Sequence, residues 1–212
     1  MKTELITRSY PVDLCTRDDD EAGLITGRPI VYNSITDLGW FDEIIDAGAL
    51  DETDLNDVRL CLNHDTSYVY ARSRRNNPSS TMRLFTDSEG MQIEANLAVN
   101  ESPKAKDFYS AVKRKDISSM SFMFSIDGET WENLESDHPT RHITKIGSVV
   151  EVSAVTFPAY EQTEINARDA AALDSARAAL DKARETRHLE AVDTDIDEQL
   201  ALLKAKTIII GG

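Results

Sequence analysis

Short runs of alternating apolar and polar residues, broken by Gly, Asn, Asp and Pro, fill roughly the first 165 residues. This is the pattern of strands buried on one face and joined by tight turns. It predicts strands over Glu4 to Val12, Leu24 to Tyr32, Val58 to His64, Met82 to Thr86, Met91 to Leu97, Ser119 to Ile126 and Val149 to Phe157. Asp87-Ser88-Glu89-Gly90 reads as a hairpin turn between two of them, and the acidic cluster Asp18-Asp19-Asp20-Glu21 as a solvated hairpin loop. One stretch keeps a helical period instead. Ala105, Phe108, Tyr109 and Val112 recur at three- to four-residue spacing between Lys104 and Lys113, after a proline that an opening helical turn tolerates. The expected class is α+β: a mostly antiparallel, β-barrel-like core with a few flanking helices.

The pattern changes after Ile165. Arg168 to Arg187 is rich in Ala, Asp, Lys and Arg, with Leu173, Ala176, Leu180 and Ala183 spaced three and four apart. That is a narrow apolar seam on a charged helix, suited to docking and too short for a coiled coil by itself. Asp193 to Asp197 interrupts it, and Glu198 to Lys206 reads as a further helical piece. Residues 1–166 are therefore expected to form the main domain and residues 167–212 a helical appendage outside its core.

Composition narrows the function. The chain has 212 residues, an apolar share of 41% and a formal net charge of −15. It can bury a real core, but it lacks the basic surface needed to displace counterions from nucleic acid or to dock on an anionic membrane. Two cysteines, Cys15 and Cys61, share no metal-ligand spacing, which fits a reducing cytoplasm. No apolar run is long enough for a membrane span, and Met1 to Tyr10 lacks the apolar stretch of a secretory signal. No Gly-rich phosphate loop, His-Glu-x-x-His or Gly-x-Ser-x-Gly occurs, so no cofactor or metal is expected.

Three strands carry polar groups that need a reason. Alternation places His64 at the end of a strand, on the face of Val58, Leu60 and Leu62. A hydrogen-bonded histidine closing a sheet gives this pattern, and so does a general base held partly out of water. In the strand from Ser119, Met120, Phe122, Phe124 and Ile126 share one face, and Ser119, Ser121, Met123 and Ser125 the other. A serine-lined outer face and a strand-mounted nucleophile both fit, and alternation does not choose among the serines. Glu151 stands inside Val149 to Phe157. An unpaired buried carboxylate costs several kcal/mol, so it requires either water or a partner such as an imidazole.

Taken together, these segments resemble the tailed-phage prohead proteases, whose fold and chemistry look like those of the herpesvirus capsid assembly proteases. The resemblance lies in five segments, in the family's order: Gly27 to Ser34, Phe41 to Leu50, Asn63-His64-Asp65, Asp116 to Phe124, and Glu151 to Tyr160. It implies Ser121 as nucleophile, His64 as base and Glu151 as the residue that orients His64, with His142 in place of Glu151 as the alternative third member if the arrangement is the herpesvirus-like Ser-His-His. Met123 stands where the family commonly has Gly, which alters the local shape of the substrate groove. His138 and His142 otherwise read as surface residues of a polar loop. The resemblance further implies cleavage of the scaffold region of the major capsid protein and of the protease itself, inside the immature shell in the host cytoplasm, by a possible homo-oligomer. A non-catalytic scaffolding protein retaining the same fold is the competing expectation.

Overall fold

The computed structural model describes residues 5–10, 14–16, 23–156, 174–189 and 196. In chain order these give β1 (Ile6–Tyr10), β2 (Cys15–Thr16), β3 (Leu24–Val31), β4 (Ile35–Asp37), β5 (Asp42–Ile45), β6 (Val58–Leu62) and β7 (Ala71–Ser73). They continue with β8 (Met82–Asp87), β9 (Gly90–Asn96), α1 (Pro103–Lys113), β10 (Ser119–Glu132) and β11 (Thr140–Val155). A second helix, α2, covers residues 174–189.

The strands form two sheets. One is seven-stranded, running β1-β10-β11-β5-β4, with β6 also on β11 and β7 beyond β6. The other is four-stranded, in the order β2-β3-β9-β8. The class is α+β and most pairings are antiparallel, as expected, but among the described residues the sheets do not close into a barrel. The long strand β11 is the reason β5 and β6 share an edge. β5 pairs in parallel with Thr140 to Ile143, and β6 pairs in parallel with Glu151 to Ala154.

Between the sheets lies one core. Leu60, Phe122 and Val152, from three neighbouring strands, are fully buried together with Ile25, Met82 and Ile93 of the smaller sheet. Phe108 and Val112 cover it from α1. Burying side chains of this size stabilises the fold by about 1.5–3 kcal/mol each. The predicted periodicity of α1 holds: Ala105, Phe108 and Val112 point inward, and the Ser102 hydroxyl accepts from the Ala105 amide at 3.3 Å to cap its start. The Asp87–Gly90 turn closes the β8–β9 hairpin. Asp87 Oδ1 accepts from the amides of Glu89 (2.8 Å) and Gly90 (3.1 Å), while Arg28 holds both its carboxylate oxygens. Gly90 has φ +137°, and a Cβ there would collide with the Ile30 carbonyl.

Two expected strands are longer than alternation suggests. β10 runs on to Glu132 and β11 starts at Thr140, so the stretch read as a polar loop is a paired arm. His142 belongs to that arm rather than to a loop. β2, β4, β5 and β7 are too short to produce a period and went unpredicted. The acidic cluster at Asp18 to Glu21, Leu173 of the seam and the Glu198 to Lys206 piece lie outside the described residues.

Helix α2 places Ala176 and Leu180 in a second apolar cluster with Leu38, Phe41 and Leu134. Arg184 adds hydrogen bonds to the carbonyls of Leu134 (3.1 Å) and Ser136 (2.7 Å). Three of the four expected seam residues therefore touch the sheet domain, Ala183 only at the rim.

Candidate active site

Cross-strand register lines up the polar residues. Ser9 of β1, Ser121 of β10, Ser153 of β11 and Cys61 of β6 stand in one row across the large sheet. One step along, Met123, Glu151 and Arg59 form the next row on the same face. Residues directly opposite each other in a sheet share a face. The opposite face is the apolar core, carried by Leu60, Phe122 and Val152. One sheet thus has a dry side and a chemical side.

His64 reaches that chemical side by leaving the strand. β6 ends at Leu62, and Asn63 and His64 both take left-handed conformations, with φ of +50° and +58°. The expectation that His64 continues the Val58-Leu60-Leu62 face is incorrect: two successive left-handed residues swing the imidazole to the opposite face. This turn costs backbone strain of about 1–2 kcal/mol per non-glycine residue. It is pinned to β11 by the Asn63 amide on the Ala154 carbonyl (2.9 Å) and by the Thr156 amide on Asn63 Oδ1 (3.0 Å).

The result is a linear relay. His64 Nε2 lies 2.7 Å from Ser121 Oγ, and His64 Nδ1 lies 2.7 Å from Glu151 Oε2. Ser121 is fully buried, Glu151 nearly so, and the His64 side chain retains 12% exposure. With an ionised Glu151, Nδ1 must be the donor, which leaves Nε2 as the acceptor facing Ser121. Ser121 Oγ also donates to the Arg8 carbonyl at 2.8 Å. Its single proton serves one acceptor at a time, so Nε2 takes it only when the Arg8 carbonyl gives it up.

Ser119 and Ser125 do not join this relay. Ser125 Oγ lies 3.0 Å from Ser148 Oγ, and Ser119 begins β10 opposite Val155. His142 is also elsewhere: its Nδ1 lies 2.8 Å from Asp46 Oδ1, at the far end of β11. His138 is exposed beside Asp42, at 3.1 Å. Cys61 stays a thiol and hydrogen-bonds to Glu151. Burial, and then the neighbouring Glu151 carboxylate, push its pKa up to about 12.

Several residues around the site were not singled out from the sequence. Ser153 is fully buried and bonded both to the His64 amide, at 2.9 Å, and to Glu151. Glu43 is fully buried between Arg8 and Arg141, and Arg141 also pairs with Glu129. Its signal was available: Glu43 alternates with Phe41 and Ile45, a carboxylate among core positions, as Glu151 is in its strand. A cavity of about 510 Å³ opens between the end of β6 and α1, lined by Leu62, Tyr70, Phe108 and Ile117 with Asp65, Lys104 and Asp107; Ser121, His64 and Glu151 do not line it. This is room for one or two substrate side chains.

A family model described as the caudovirus prohead serine protease matches residues 11–176. The chain belongs to this family. The match spans every site residue described above except those of β1, together with the start of α2. No curated protein and no solved structure matches the chain. Membership makes the chain a serine peptidase of the capsid-maturation kind. Among its described residues, no helix is long and apolar enough to cross a membrane.

Proposed function

We propose that the chain is an endopeptidase that cleaves the scaffold region of the major capsid protein, and itself, within the immature shell in the host cytoplasm. The observation that carries this reading is the Ser121–His64–Glu151 relay, which joins β10 and β11 to the turn that follows β6. In this mechanism Ser121 Oγ attacks the scissile carbonyl carbon while His64 Nε2 takes its proton. Glu151 holds the imidazole in the accepting tautomer and stabilises the imidazolium that forms. The imidazolium then protonates the leaving amine, and an acyl-enzyme remains on Ser121. Water, deprotonated by the same nitrogen, releases the acid and restores the serine. No step calls for a metal or a cofactor.

The active site is also where a segment of the capsid protein would have to enter. The cavity between the end of β6 and α1, lined by Asn63 and Asp65 on either side of His64 in the chain, offers apolar walls for a substrate side chain. Residues 167–212 are proposed to carry the protease to the helical scaffold and to be trimmed afterwards. Self-association of the protease is part of the same proposal.

The deciding experiment is coexpression with the capsid protein of the same phage, with and without Ser121→Ala. Loss of the nucleophile lowers the rate by about a million-fold, which reads as no processing. Unchanged processing in Ser121→Ala overturns the assignment. Unchanged capsid protein with the wild-type chain would favour a non-catalytic scaffolding role.

A further inference from the structure

Ser153 bonds to the base at its backbone and to the acid at its carboxylate. The His64 amide donates to Ser153 Oγ at 2.9 Å, and Ser153 Oγ donates to Glu151 Oε1. The second oxygen of Glu151 holds His64 Nδ1 at 2.7 Å. The bonds form a closed ring that runs from the His64 amide through Ser153 and Glu151 to the His64 side chain. Every direction in the ring is fixed. An amide N–H can only donate and an ionised carboxylate can only accept, so the hydroxyl proton of Ser153 must point at Glu151.

We infer that Ser153 is a fourth, positioning member of the catalytic group, acting through His64 and Glu151. The inference rests on the reading of Ser121, His64 and Glu151 as the catalytic relay. Three observations support it. Ser153 is fully buried, so water does not substitute for its hydroxyl. It lies directly opposite both Ser121 on β10 and Cys61 on β6, at the centre of the row that carries the site. It also holds the second of two consecutive left-handed residues, the point at which the base is turned toward the nucleophile.

Without the hydroxyl, Glu151 Oε1 and the His64 amide both lose a partner. The carboxylate then rotates about its side-chain torsions, and the imidazole follows it through Nδ1. A displacement of the base by about 1 Å is enough to cost about a hundredfold in rate. Such an effect falls on kcat, because Ser153 touches no part of a bound peptide.

The test compares two β-branched replacements of nearly the same shape, Ser153→Thr and Ser153→Val, which differ by the hydroxyl. Both are assayed on a fluorogenic peptide carrying the mapped capsid junction, with active sites counted by a serine-reactive phosphonate. The expected result is a kcat per titrated site within about threefold of wild type for Ser153→Thr. Ser153→Val is expected to fall about thirty- to a hundredfold at unchanged KM. Equal kcat in the two variants overturns the inference, as does a loss confined to KM or to the number of titratable sites. Ser121→Ala run alongside separates the two readings: if it still cleaves the peptide, the relay itself is misassigned.

Discussion

Glutamine at position 151 would keep the shape of the side chain and remove its charge. The proposed relay uses that charge twice, to select the Nδ1–H tautomer and to stabilise the imidazolium. Glu151→Gln is therefore expected to lower kcat by about ten-thousandfold, with KM nearly unchanged, in the same peptide assay. A loss under tenfold would mean that Glu151 only fills space. The residue was legible in the sequence because a carboxylate in an apolar strand demands a partner. His64 was legible as a residue but not as a geometry, since alternation says nothing about two left-handed residues in succession. Ser121 was not separable from Ser119 or Ser125 by pattern. Only its register against Ser153 and its distance to Nε2 single it out. Ser153 was invisible for a related reason: a serine in a strand costs nothing to explain until its partners are known.

Strand β1 does more at the site than its five residues suggest. Its Arg8 carbonyl accepts from Ser121 Oγ, and its Arg8 side chain enters the interior to pair with Glu43. Glu43 also binds Arg141 of β11 at 3.2 Å, so one carboxylate ties the edge strand to the longest one through β5. A buried carboxylate between two guanidiniums is stabilising only while all three charges are present. Glu43→Gln leaves Arg8 beside a neutral group and Arg141 with Glu129 alone, and should destabilise the fold by about 3–5 kcal/mol in urea denaturation. Capsid processing in Glu43→Gln should fall with it, because β1 no longer holds the Arg8 carbonyl against Ser121. A shift below about 1 kcal/mol would show that the network is dispensable. The pairing partners of β5 were hidden in the sequence because four residues carry no detectable period. The outer arms of β10 and β11 were hidden by their composition. The predicted strand stops at Ile126 and His142 reads as loop, yet the backbone pairs on to Glu132 and Thr140.

At the scale of the molecule, the apolar residues divide into one large core and one small cluster. The large core joins the two sheets and α1, whereas the small one joins α2 to Leu38, Phe41 and Leu134. The α+β class follows from the alternating runs. Barrel closure does not, because closure depends on long-range pairing between strand edges that no local period encodes. The two clusters share no buried residue, so each can be perturbed separately. Leu180 is nearly fully buried in the small one, and the active-site row lies in the sheet of the large one. Leu180→Asp places an unpaired charge in that cluster, which favours detachment of α2. Limited proteolysis is then expected to cut within residues 174–189 of the variant and to spare the wild type. Cleavage of the junction peptide should persist within about twofold, since sites in separate clusters act nearly independently. If peptide cleavage fails in Leu180→Asp while the sheet domain stays folded, α2 contributes to the catalytic domain itself and the boundary at residue 166 does not separate two functions.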